Sequence, residues 1–402
     1  MKRILHLSIF IVIIGWLVNC SKQEFSGIPQ PNTSCQNFVA SHSGGTCNST
    51  PACQQNSYSP ECLNVFVDKP AACKADILFV VDNSGSMYTE QSQLASKLPD
   101  FINSISTLDY HIAVTTTDIS TSPSNPPDAQ NGNGTLWNGL FIKFPNGNKF
   151  LKKADSDQQH QFEQTVMRPE TQSCDGGGPC PSGDERGIFA ATLAVEKSDE
   201  RGNRGDSNFF RDGAHLAVVI LSDENERSNG GNFAGYGLEQ RDLPETLIKT
   251  VRSKFGSSKL LSVHPIVVQS ALTSGTGKND VACNTTQQNQ QSGVKFERYG
   301  TLYEELAKPN AGLKSLGGIV DGFAGSVCAP NYTDILKNMG QVITRNTGTF
   351  QLECKPQDLV ITIDNVTLSS ADYTIDTLNR VTLNNTPNCS QQVVVNYKCP
   401  RN

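Results

Sequence analysis

Residues 76–87 read Asp76-Ile77-Leu78-Phe79-Val80-Val81-Asp82-Asn83-Ser84-Gly85-Ser86-Met87, and this stretch decides the fold. Its first half is a short, mostly apolar run, the pattern of a strand buried on both faces of a parallel sheet. Its second half is a turn-forming loop with one carboxylate and two hydroxyls at alternate positions. Ligands of open parallel sheets bind beyond the carboxyl ends of the strands, so Asp82, Ser84 and Ser86 can converge on one spot there. Hard oxygen donors of this kind suit Mg2+ or Mn2+.

Working outward, Leu94, Leu98, Phe101, Ile102 and Ile105 fall on one helical face, with a bend expected at Pro99. Further strands are expected at 111–116, 216–221, 261–268 and 318–320, and helices at 188–197, 243–255, 302–307 and 332–344. Strands alternating with helices specify a doubly wound α/β domain. Pro145-Asn146-Gly147-Asn148, between the apolar residues 140–142 and 150–151, marks a hairpin that can edge that sheet. The Gln/Asn-rich tract 285–292 reads as a surface loop. After about residue 348 the helical period stops, and short β segments at 359–363, 373–375, 381–383 and 393–395 specify a small all-β domain.

The loop Asp82-x-Ser84-x-Ser86, between a buried strand and an amphipathic helix, resembles the metal-ion-dependent adhesion site of the von Willebrand factor type A family. The resemblance covers about residues 75–347 and implies a Rossmann-like α/β fold that holds a divalent cation and binds a partner. It also implies a Thr from a second loop and an Asp from a third. Leu216-Ala217-Val218-Val219-Ile220-Leu221-Ser222-Asp223 is a buried strand ending in an acid, so Asp223 takes the third-loop place. Counting back from Gly187-Ile188 puts Ser182 in the second, within Pro181-Ser182-Gly183-Asp184-Glu185-Arg186, and Asp184 or Glu185 remains an alternative oxygen donor. The resemblance further implies that the cation accepts a carboxylate from the partner.

The N-terminus indicates where such a protein works. Lys2 and Arg3 precede an apolar run over 4–18, too short for a membrane span and ordered like an export signal. Leu17-Val18-Asn19-Cys20 resembles a bacterial lipobox, with Asn19 where Gly, Ala or Ser is usual, so Cys20 is the expected lipidation site and residues 1–19 the signal peptide. Ser21 at the next position favours the outer membrane. Of 13 cysteines, removing Cys20 leaves an even number, and their irregular spacing fits disulfides in an oxidising compartment better than zinc. Two odd groups, Cys35 to Cys73 and Cys283 to Cys399, imply at least one bridge from the early segment to a later one if all pair.

The expected domains are a Cys-rich tether or cap at 20–74, the α/β domain at 75–347 and the β domain at 348–402. A net charge of −6 without a long basic cluster argues against nucleic acid as the main partner. His111, His215 and His264 fall in or beside strands and read as structural. With no Gly-x-Ser-x-Gly elbow, an exported hydrolase is the weakest expectation. The leading one is a non-enzymatic, lipid-anchored surface protein that binds a protein or glycan through Mg2+ or Mn2+, ahead of a metal-independent envelope scaffold.

Overall fold

The computed structural model describes residues 46–48, 63–68, 72–119, 138–175, 184–199, 203, 208–231, 237–256, 259–290 and 296–400. Residues 1–19, read as a signal peptide, and Cys20 lie outside the described residues. Strands β1 (Thr46–Asn48) and β2 (Leu63–Asp68) precede β3 (Lys74–Val81), the strand that carries the Asp82 loop. Helices α1 (Tyr88–Ser96) and α2 (Leu98–Ser104) lead to β4 (Asp109–Thr116), then to β5 (Leu151–Lys152), α3 (Gln158–Val166) and α4 (Pro169–Asp175). Next come α5 (Gly187–Glu196), β6 (His215–Leu221), α6 (Pro244–Phe255) and β7 (Leu261–Val267). The α/β domain closes with α7 (Val281–Gln290), α8 (Thr301–Ala307), α9 (Ala311–Ser315), β8 (Gly325–Ser326) and α10 (Thr333–Thr347).

These strands form a six-stranded sheet in the order β5-β4-β3-β6-β7-β8, parallel except for β5. The period of two along β3 divides its apolar side chains between two helical layers. Ile77, Phe79 and Val81 pack with Leu94, Phe101, Phe162, Leu336 and Met339 on one face. Leu78 and Val80 pack with Ile188, Ala191, Leu247, Val251 and Leu306 on the other. The fold is therefore the doubly wound α/β arrangement. Its strand order turns back between β3 and β6, so the crevice between their carboxyl ends is the topological switch point where such sheets bind ligands.

The remaining strands are β9 (Thr349–Gln351), β10 (Gln357–Ile363), β11 (Val366–Thr367), β12 (Tyr373–Ile375), β13 (Arg380–Leu383) and β14 (Val393–Pro400). They build the expected small all-β unit, with a core of Phe350, Ile361, Val381, Leu383, Val395 and Tyr397. Its larger sheet runs β1-β2-β14-β10-β11, so two strands come from the segment read as a tether. Antiparallel pairing of Val67 with Asn396 and of Val65 with Lys398 sets that register. Disulfides join Cys73 to Cys389, Cys283 to Cys328 and Cys354 to Cys399. The first spans 316 residues and is a long-range bridge of the kind the cysteine parity required.

Four local expectations change. The helix expected to bend at Pro99 is two helices, because the proline sits in the first turn of α2, where its missing N–H costs nothing. The turn at 145–148 forms, with the Gly147 N–H donating to Phe144 O at 2.8 Å, and β5 edges the sheet. Its first arm is not a strand, although Phe141 and Ile142 pack into the two cores and the Ile142 N–H donates to Val114 O at 2.9 Å. Residues 318–320 contribute one bridge, Ile319 to Leu261, after two consecutive left-handed glycines, Gly317 and Gly318, and the sixth strand is β8 instead. Most of the Gln/Asn-rich tract belongs to α7, which the Cys283–Cys328 bridge pins and whose Gln287 is buried.

Candidate functional site

Asp82 is the first residue past β3, and its N–H donates to Leu221 O at the end of β6 across 2.9 Å. Its carboxylate is fully buried, with Oδ1 accepting from the Ser84 N–H at 2.8 Å and Oδ2 from the Ser222 hydroxyl at 2.7 Å. The first bond closes an Asx turn that shapes the loop. Ser84 precedes the short helical turn Gly85–Met87 but makes no side-chain cap bond. Its hydroxyl instead lies 3.3 Å from that of Ser86, while Met87 anchors the turn in the core.

A second layer holds this loop from behind. Gln91 donates to Asp82 O at 2.8 Å and to the Thr171 hydroxyl at 2.9 Å, and its Oε1 accepts from the Arg168 N–H at 2.9 Å. The Thr171 hydroxyl donates to Asn83 O at 2.7 Å, and the Asn83 amide donates to Glu170 at 3.1 Å. These polar groups are buried, so their bonds are costly to break and the loop is preorganised.

Asp223 stands beyond β6, beside Asp82. One oxygen accepts from Arg298 Nη1 at 2.9 Å, and the other, Oδ1, is buried without a hydrogen-bond partner among the described residues. Arg298 also lies 2.8 Å from Glu224. Ser182 lies outside the described residues, but its two neighbouring acids are placed. Asp184 is paired with Arg227 at 2.8 Å. Glu185 accepts from the Ser228 hydroxyl at 3.0 Å, and its charge is felt at Asp82. Of the two second-loop acids, Glu185 therefore belongs to the acidic cluster and Asp184 to an ion pair beside it.

The second and third loops are locked together. The Arg227 N–H donates to Glu185 O at 2.7 Å. Glu226 accepts from the Ile188 and Phe189 N–H groups at 2.7 and 3.1 Å, satisfying orphan donors at the start of α5. Arg186 grips Asp242 through two bonds of 2.8 and 3.0 Å. Arg227 and Ser228 hold left-handed backbone, with φ of 54° and 65°, a strained conformation that these bonds sustain.

Asp82, Glu185, Asp223 and Glu224 are each at most 2% exposed. Burial first, then repulsion from Glu185 and Asp223, holds the Asp82 carboxyl well above the usual range. Burial and Glu224 do the same to Glu185. Glu224 is pushed up to about 7 by burial, with Arg298 pulling the other way. Burial also raises Asp223, with Arg298 pulling the other way. At the far end of β3, the buried Asp76 is instead flanked by two cations, Arg211 at 2.8 Å and Lys259 at 2.9 Å.

The cluster at the switch point is thus acid-rich, with an unsatisfied carboxylate oxygen and two adjacent hydroxyls. That donor set fits a hard divalent cation, with Asp82, Ser84, Ser86, Asp223 and Glu185 available to hold it. It is not a ready-made carboxylate cage: among the described residues no three His, Cys, Asp or Glu side chains are grouped to hold a metal. The histidines stand apart, with Ser262 bridging His215 and His264 at 2.7 Å on each side, and burial pushes both imidazoles down to about 3.

Sequence reasoning missed Glu224, Arg298, Ser222 and the Gln91–Thr171 support. Ser222 and Glu224 flank Asp223 and were within reach. Arg298 carries no local signal.

No family model matches the chain, and no curated protein matches it. Solved structures with similarity to it include the pilus adhesin SpaC from Lactobacillus rhamnosus GG in an open conformation, at 11% identity and a TM-score of 0.31, over 88% of this chain and 42% of that one. A von Willebrand factor type A protein from Catenulispora acidiphila matches at 12% identity and a TM-score of 0.33, over 85% of this chain and 62% of that one. The manganese-loaded TRAP protein of Plasmodium vivax matches at 14% identity and a TM-score of 0.24, over 61% of this chain and 75% of that one. This chain spans less than two thirds of the length of the first two. At these values the likenesses concern shape and assign no function.

Proposed function

We propose that this protein is an exported, lipid-anchored surface or envelope protein that binds a protein or glycan partner through a divalent cation, without catalysis. One observation carries the reading: Asp82, Ser84, Ser86 and Asp223 gather at the β3–β6 switch point, where Asp223 keeps a buried oxygen unpaired. The cation would be Mg2+ or Mn2+, held by these residues and by a second-loop donor, Ser182 or Glu185. When bound, it supplies an electrophilic centre that can take a hard oxygen, such as a carboxylate, from the partner. The chain's own part is to hold that centre rigid, through the Gln91–Thr171 support and the Glu226 cap on α5. Three disulfides among the described residues suit an oxidising compartment, in keeping with export. Attachment through Cys20 to the bacterial outer membrane completes the proposal.

A second reading, the metal-independent scaffold, is favoured by the buried ion pairs of Arg298 with Asp223 and Glu224. Pull-downs from envelope extracts with and without chelator separate the two. Capture lost on chelation and restored by Mg2+ supports the adhesion site, and capture indifferent to chelation supports the scaffold.

A further inference from the structure

We propose that Arg298 is a built-in cation that competes with the divalent metal for Asp223 and Glu224, and so sets the metal affinity of the site; this rests on the metal-site reading above. The Arg298 side chain is 1% exposed, and its Nη1 lies 2.9 Å from Asp223 and 2.8 Å from Glu224. A guanidinium keeps its charge at any physiological pH, and a buried one is tolerated only against carboxylates. Here the carboxylates it uses belong to the acidic cluster itself.

Arg298 arrives from none of the three loops that build that cluster. Its segment enters between α7 and α8, with the Arg298 N–H donating to Asn284 at 2.9 Å and the Gly300 N–H to Val268 O at 3.0 Å. Its guanidinium lies 4.9 Å from the Phe296 ring. The Cys283–Cys328 bridge fastens the adjoining α7. The arginine is therefore presented on an arm anchored separately from the loop that holds Asp82, Ser84 and Ser86.

The consequence for a metal follows from charge. A divalent cation at the free oxygen of Asp223 would sit on the same carboxylate as a fixed positive group, and in a buried site that repulsion is weakly screened. Cation binding must displace the guanidinium or bear its repulsion, and either weakens the affinity. Without metal, the same guanidinium offsets part of the cluster's negative charge. Arg298 thus stabilises the metal-free state and opposes the loaded one.

Titration calorimetry of the full chain with Mg2+ and with Mn2+ tests this, with melting measured in parallel. Arg298→Met should melt lower than wild type without metal and bind both cations at least about tenfold more tightly, the effect of lifting a neighbouring like charge. Arg298→Lys, which keeps a charge but not the two-pronged reach, should fall between. If Arg298→Met fails to fold, Arg298→Met with Glu224→Gln removes one of the exposed charges and carries the same expected gain. Metal affinity unchanged or weaker in these variants, beside a wild type that binds, would overturn the proposal while leaving the metal site standing. A wild type and variants that all bind neither cation would overturn both.

Discussion

Asp82→Asn isolates the charge at the centre of the cluster. The change keeps an oxygen to accept from the Ser84 N–H, and the new amide can donate to the Ser222 hydroxyl, so the Asx turn and the strand end survive. It removes a buried negative charge that Glu185 and Asp223 repel and that no cation contacts directly among the described residues. Metal-free stability should therefore rise, by about 1 kcal/mol on the scale of buried like-charge pairs, or about 2–4 °C in Tm for a domain of this size. With metal the sign reverses. A ligand that binds only the native state at about 100 times its Kd stabilises it by about 2.7 kcal/mol, so wild type should gain about 5–10 °C in saturating Mg2+ or Mn2+. Asp82→Asn should lose most of that gain. Differential scanning fluorimetry of both chains, in chelator and in each cation, reads all four quantities. A variant that gains as much as wild type, or that melts lower in chelator, would refute the charge argument.

The second-loop donor is separable by substitution: Glu185→Gln should cost at least about tenfold in Mg2+ affinity if its carboxylate serves, and Ser182→Ala should do so if the hydroxyl serves, with calorimetry deciding. Burial raises Glu90 and Glu224 from 4.5 to about 7, so their share of metal-free stability is lost as pH rises across that window, whereas His111, pushed down to about 4, and His215 and His264, pushed down to about 3, add a share of the opposite sign below about 6.5. The acids are read where the histidines are neutral in both states: from about pH 6.5 to 8 the native acids give up their remaining protons, so Tm should fall and saturating Mg2+ should flatten the slope; a metal-free Tm that climbs over about pH 6.5 to 8 would contradict this. Cys20→Ala should abolish lipid attachment and release the chain from membranes, as mass spectrometry and fractionation would show; a variant retained as well as wild type, beside a wild type that carries no lipid, would remove the anchor.

What the sequence discloses and what it withholds divide by distance along the chain. β3 and β6 are visible because a strand buried on both faces must be apolar throughout, and Asp82 and Asp223 are visible because each ends such a strand. Ser84 and Ser86 lie within the same loop as Asp82, so one local pattern reveals all three. Tertiary contacts leave no such trace. β2 finds β14 across more than three hundred residues, and neither strand's own period names its partner. The helical state of the Gln/Asn tract follows from the bridge and buried Gln287 that dock it, against its composition.

The charge balance of the site is the case that matters for function. An Asp-x-Ser-x-Ser loop states which oxygens are offered, but not what already occupies them. Asp184 and Glu185 are adjacent acids of the same loop, and only the position of Arg227 removes the first from the cluster and leaves the second in it. Arg298 enters from 75 positions beyond Asp223 and takes one of its two oxygens. A motif match therefore fixes the donor types, whereas the competing cations that the fold brings to them decide whether those donors are free to bind a metal. Two chains with identical loops can on this account differ widely in metal affinity. For this one, the arginine arm is the first place to look for that difference.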